Sequence, residues 1–248
     1  MRVMYVLWLR QMKRYVRSRS RMLGAVGQPI FFLLALGYGL GSVFKSAGHG
    51  NYLQFLVPGI MVQTILFAGV FWGIQIVWDR QFGFLKETLV APVPRSQIML
   101  GSALGGATIA LIQGIIVLLV SLVFGFHPAN WSLVPLAILM AGITAVAMAC
   151  FGSGIGSIVQ DFQGFQSINN FLVLPMYFLS GAFYPLIGIP KLLQIISYIN
   201  PLTYAIDGLR GVMINQHHFS YGIDLTALVV TSVVMVSFGI LAFRRLEA

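Results

Sequence analysis

Of the 248 residues of this chain, 58% are hydrophobic and only 8% charged, against roughly 25% charged in an ordinary soluble domain. No soluble core of this length could hide so much apolar surface, so the solvent is a bilayer. The net charge of +9 does not point to nucleic acid: seven of the fifteen basic residues fall in the first 21 positions and the rest are scattered, the pattern of a membrane surface.

A span needs about 20 apolar residues, so the length suits an all-α integral membrane protein: one membrane domain over 1–248 with six spans and short loops. Residues 1–22 hold Arg2, Arg10, Lys13, Arg14, Arg17, Arg19 and Arg21. Met4, Tyr5, Trp8, Met12 and Tyr15/Val16 recur about four apart among them, one helical face. A basic helix with such a stripe lies in the interface plane. A signal-peptide reading is disfavoured, because the basic part is long and no A-x-A site follows. The spans are expected at 28–44, 52–77, 98–126, 131–159, 165–183 and 224–243. Gly37/Gly41 and Gly101/Gly105 are spaced for close helix packing. His127-Pro128-Ala129-Asn130 and Gln160-Asp161 read as turns. Cys150 is the single cysteine, so no internal disulfide forms.

Residues 78–97, WDRQFGFLKETLVAPVPRSQ, interrupt the oily pattern with both signs of charge. Phe82, Phe84, Leu85, Leu89 and Val90 suit a short amphipathic helix, which Pro92 and Pro94 then stop. A short helix with exposed aromatics on a membrane loop is a docking element for a soluble partner. From 184 to 222 the pattern changes again. Pro185, Pro190 and Pro201 break a moderately apolar stretch into helices that dip into the membrane and return. Asp207 and Arg210 are three apart and spaced to pair on one helical face, steadying this element or touching substrate.

With both termini inside, twelve basic residues gather on the cytoplasmic side, and Lys45, Lys191 and Arg210 remain outside. Gln163, Gln166, Asn169 and Asn170 recur every three to four residues in the fifth span, for interhelical hydrogen bonds or for lining a path. Gln28, Gln63, Gln75 and Gln113 read as helix–helix glue. Phe31, Phe32, Tyr38, Phe67, Phe71, Trp72, Phe171 and Tyr177 offer a greasy translocation surface, with packing or the interfacial belt the default in a chain with 13% aromatics. No phosphate-binding G-x-x-x-x-G-K-[ST] occurs. Catalytic residues, a metal site and a bound cofactor are not expected. The acidic residues, Asp224 among them, fall at or near loops, which argues against proton-driven transport.

Arg80, Gly83, Glu87, Thr88, Leu89, Ala91, Pro92, Val93, Pro94, Arg95 and Gly101 resemble the first cytoplasmic loop of the type-2 permeases of ATP-binding-cassette exporters; Lys86 departs from that pattern. Asn200-Pro201-Leu202-Thr203-Tyr204-Ala205, followed by Asp207-Gly208-Leu209-Arg210, resembles the family's second signature. The resemblance covers essentially the whole chain. It implies a cytoplasmic elbow helix at 1–22 and an ATPase-coupling helix carrying Arg80, Phe82, Gly83, Phe84, Leu85, Lys86, Glu87 and Thr88. It also implies an extracellular re-entrant pair at 184–222 marked by Asn200, Pro201, Tyr204, Asp207 and Arg210. ATP would be bound by a separate ATPase, two copies per transporter. A second permease copy or a sister chain would complete the path. The cargo would be a drug, lipid or lipid-linked glycan crossing a bacterial inner membrane. An ion-gradient-driven transporter is the alternative, and a lipid-modifying membrane enzyme a more distant one.

Overall fold

The computed structural model describes residues 2–41, 46, 51–84, 93–186 and 188–246, and every regular element among them is helical. In chain order these are α1 (Arg2–Arg17), α2 (Arg19–Gly39), α3 (Tyr52–Phe71), α4 (Ile74–Gln81), α5 (Arg95–Val123) and α6 (Val134–Ile158). They continue with α7 (Phe162–Ile168), α8 (Leu174–Phe178), α9 (Lys191–Ile199), α10 (Pro201–Ile214) and α11 (Tyr221–Arg244). Local chemistry sets several of the starts. The side chains of Asn51, Asn130, Asp161 and Asn200 each accept a backbone N–H two or three residues on, meeting donors that a helix start otherwise leaves unpaired. Pro201 follows Asn200 in the first turn of α10, where its missing N–H costs nothing.

Among the described residues four helices are long and apolar enough to cross a membrane: Tyr52–Gln81, Arg95–Val123, Trp131–Ile158 and Tyr221–Arg244. They meet the expected second, third, fourth and sixth spans within a few residues. The expected first span appears as a shorter apolar segment, Gly27–Gly39. The expected fifth span is a broken helix. A π turn at Asn169–Val173 separates α7 from α8, and the Leu174 N–H reaches back to the Asn169 carbonyl. Pro175 just beyond supplies no N–H to continue the regular ladder. The helix stops at Phe178, not 183, because a turn through Gly181, at φ +76°, follows.

The core is built around α3. Leu56, Val57, Ile60, Met61, Val62, Ile65 and Leu66 are fully buried, and α2, α5, α6 and α10 pack on α3. In their most apolar windows the Tyr52–Gln81 helix is 67% buried and α11 only 11%. The first is therefore surrounded by protein, while α11 lies at the edge against α6. Without a hydrophobic force between helices in lipid, close backbone approach must hold them together. A Cβ on Gly73 would collide with the Gly152 carbonyl, one on Gly152 with that of Val70, and one on Gly156 with that of Gly73.

Tertiary contacts assign the ends of the helices to two faces. On one face, the end of α4 meets the end of α6, and the start of α5 meets the end of α11. On the other, Tyr38 at the end of α2 donates to the Phe124 carbonyl just after α5 (3.3 Å), and Ala129 N–H to the Met213 carbonyl of α10 (2.7 Å). Helix α1 runs alongside the first half of α5. Gly101 faces Met4, Gly105 faces Gln11, Trp8 Nε1 donates to Thr108 Oγ1 (3.0 Å), and Gln113 Nε2 donates to the Tyr15 hydroxyl (3.1 Å). The single stripe expected on α1 is thus divided. Met4, Trp8 and Tyr15 join Gln11 against α5, while Tyr5, Val6 and Val16 stay exposed.

Candidate functional site: a clamped loop below a lateral cavity

Three places gather the residues singled out by sequence. The first is the base of the loop after α4. Helix α4 ends at Gln81, and Gly83 turns the chain with φ +81°. Phe82 is 72% and Phe84 58% exposed, which suits aromatic anchors for a partner. Leu85, Lys86, Glu87 and Thr88 lie outside the described residues. Arg80, expected to face the partner, turns inward. Its Nη1 donates to the Val159 carbonyl (2.9 Å) and its Nη2 to that of Ser157 (2.6 Å). These are carbonyls at the C-terminal end of α6, the negative pole of a helix. At the other end of the loop, Arg95 Nη1 donates to the carbonyls of Arg244 (3.0 Å) and Leu246 (2.8 Å), past the end of α11. Sequence gave no sign of either clamp, because both partners are backbone atoms of distant helices.

The second place is a cavity of about 670 Å³ between α1, α2, α3, α4, α5 and α7, within the usual size range of small-molecule sites. Tyr15, Phe67, Phe71, Trp72, Trp78 and Phe162 supply aromatic walls. Gln28, Gln63, Gln75, Gln113 and Asn169 supply carboxamides, and among the described residues no charged side chain lines it. Gln63 Oε1 and Asn169 Oδ1 are buried and lack a hydrogen-bond partner. The four glutamines expected as interhelical glue therefore converge on one space. Of the four span-5 residues, Asn169 alone lines the cavity, where the π turn begins. Gln163 and Asn170 are exposed and Gln166 is half-buried. At about 100° per residue, Asn169 lies inward of the face that Gln163 and Asn170 share, so the predicted polar stripe is split. Tyr15, Trp78 and Phe162 were not singled out as lining residues; in an aromatic-rich chain no spacing rule separates them from packing.

The third place is the corner between α9, α10 and α3. Asn200 caps α10 and also donates through Nδ2 to the Met176 carbonyl; Thr203 Oγ1 donates to the Ser197 carbonyl (2.6 Å) and the Tyr204 hydroxyl to that of Tyr198 (2.7 Å). The Asn200–Pro201–Tyr204 signature is thus a capped joint between two short helices. The expected Asp207–Arg210 ion pair does not form. Arg210 is buried and gives Nε to the Phe55 carbonyl (3.2 Å), Nη1 to Gly181 (2.9 Å) and Nη2 to Ala182 (2.8 Å), with its guanidinium 3.6 Å above the Phe55 ring. Asp207 accepts the backbone N–H groups of His218 (2.9 Å) and Phe219 (2.7 Å). Each of the two side chains meets backbone groups that burial would otherwise leave unpaired.

Comparison with known proteins shows the family of the chain. Residues 2–214 match the family model described as ABC-2 type transporter. The chain is 30% identical over 246 residues to the inner membrane transport permease YadH of Escherichia coli strain K12, covering 96% of this chain and 90% of that protein. It is 25% identical over 246 residues to nodulation protein J of Sinorhizobium fredii, covering 97% and 93%. With its apolar spanning helices, clamped loop and lateral cavity, this multi-pass membrane protein belongs to the ABC-2 type transporter family.

Proposed function

We propose that the chain is the permease subunit of an ATP-driven exporter that moves a hydrophobic or amphipathic molecule out across the cytoplasmic membrane. The observation that carries this reading is the exposed Phe82–Phe84 turn on a base held by Arg80 and Arg95. Such a turn is apolar enough to be costly in water and rigid enough to receive a push. In this reading a separate ATPase, two copies per transporter, holds the turn and binds the ATP. The loop-bearing face and both termini are cytoplasmic, α2 and α7–α8 complete six spans, and a second permease copy or a sister chain completes the path. The corner at Asn200–Arg210 is the extracellular re-entrant element. An uncharged, aromatic- and amide-lined cavity suits a drug, lipid or lipid-linked glycan.

The test is co-purification in detergent with the ATPase encoded beside it. Phe82→Ala is expected to weaken capture by about tenfold or more, the effect of truncating an aromatic interface anchor. Capture unchanged by that substitution would remove the loop from the interface.

One observation favours ion-gradient coupling as a second reading. Asp224, expected near a loop, is fully buried in the first turn of α11, and neither of its carboxylate oxygens accepts a hydrogen bond. Buried ionisable groups at membrane depth mark ion paths in transporters. That reading expects an acid pulse to drive proton entry into proteoliposomes of the parent but not of Asp224→Asn. The exporter reading expects no entry in either.

A further inference from the structure

We infer that Arg80 is the positioning residue that carries movement of the loop into the cavity, and that it does so through the end of α6 rather than by touching the ATPase. The inference rests on the exporter reading and names the route inside the permease. Arg80 is two residues from the exposed Phe82. Its planar fork engages two carbonyls, those of Ser157 and Val159, as charge-assisted hydrogen bonds that fix direction as well as distance. Two residues past Val159, Asp161 opens α7. Its side chain accepts the Gly164 N–H (2.6 Å), and its carbonyl the Phe165 N–H (3.3 Å). Helix α7 and the π turn after it carry Phe162 and Asn169 into the cavity wall. Only Gln160 separates Val159, held by Arg80, from the Asp161 cap. The same segment of α6 lies backbone to backbone on α4's start, because a Cβ on Gly156 would strike the Gly73 carbonyl. A push on the loop therefore reaches the α6–α7 corner as a rigid displacement, the kind of coupling that packed elements transmit.

Arg95 supplies the internal comparison. It clamps the other end of the same loop, but to the end of α11, which contributes nothing to the cavity lining. A general loosening of the loop would follow from losing either arginine. Loss of transmission to the cavity follows only from losing Arg80.

The experiment uses the permease reconstituted with the ATPase it captures. Ser167 is exposed on α7, outside the cavity lining. Ser167→Cys in a Cys150→Ala background gives a single reporter thiol, read by its rate of reaction with N-ethylmaleimide with and without ATP plus orthovanadate. The Arg80 parent is expected to change rate by about fivefold or more, the low end of usual coupling energies. Arg80→Ala is expected to keep the ATPase and lose the response, Arg80→Lys to give an intermediate response, and Arg95→Ala to respond like the parent. A full response in Arg80→Ala, or equal loss in Arg80→Ala and Arg95→Ala, overturns the route. So does loss of ATPase capture in Arg80→Ala, which would make Arg80 a docking residue. If Arg80→Ala does not accumulate in the membrane, Arg80→Lys decides: a parent-like response, with the two-carbonyl fork removed, overturns the inference. A parent that captures no ATPase overturns the exporter reading itself, and this route with it.

Discussion

Arg210→Ala is expected to deplete the folded protein from the membrane and to lower its melting temperature in detergent by about 10 °C. The guanidinium satisfies three buried carbonyls, those of Phe55, Gly181 and Ala182, from two separate segments. Each carbonyl left without a donor costs about 1–3 kcal/mol, and removing a buried charge also leaves Asp207 without its nearby cation. A loss of roughly 3–5 kcal/mol is the usual outcome of breaking such an arrangement. At about 2–4 °C per kcal/mol for a chain of this size, that gives the shift stated. The Tyr177 hydroxyl reaches the Gly59 carbonyl at 3.4 Å and the Tyr52 hydroxyl that of Phe183 at 3.2 Å, both neutral and long. Arg210→Lys keeps the charge but offers one compact ammonium where a flat fork meets three acceptors, so it is expected to recover only part of the loss. Thermal unfolding of the three proteins side by side checks this, and an Arg210→Ala protein that melts with the parent removes the staple from the argument.

The second large effect is expected at the crossing of α3 and α4 with α6. A methyl on Gly152 would meet the Val70 carbonyl, and a methyl on Gly73 the Gly152 carbonyl. Both obstacles are backbone, so no rotamer change relieves them and the helices must separate along the whole crossing. Overpacking of a well-fitted core usually costs about 1–3 kcal/mol. Gly152→Ala is expected to lie at the top of that range and Gly152→Val to prevent accumulation in the membrane. Gly222→Ala is the control: nothing lies within 4 Å of a Cβ there, and alanine favours the helix by about 1 kcal/mol. Equal expression and melting for Gly152→Ala and Gly222→Ala would show that the crossing tolerates a wider gap.

The amino-acid sequence by itself determined the solvent, the helical class and most of the helix limits. Apolar runs of membrane length, punctuated by Pro, Gly, Asn and Asp, leave little choice, because in lipid a backbone must bond within its own helix. The caps at Asn130, Asp161 and Asn200 follow from short side chains that reach their own backbone two or three residues on. The helices after Asn51 and Asn200 start for the same reason. What the tertiary structure alone decided is where the long side chains end. Spacing along one helix could only offer Arg210 the carboxylate three residues away. The fold gave it carbonyls 28, 29 and 155 positions distant, and turned Asp207 to the chain after α10. Arg80 and Arg95 likewise found helix ends 77 to 151 residues away. Four glutamines on four helices became one cavity wall through the way α2 to α5 cross, and of the polar residues of the fifth span only Asn169 reached that wall. Local periodicity reports which face of one helix is apolar. It carries no information on which other helix that face will meet, and the buried backbone carbonyls that hold this protein's arginines exist as partners only after the helices have met.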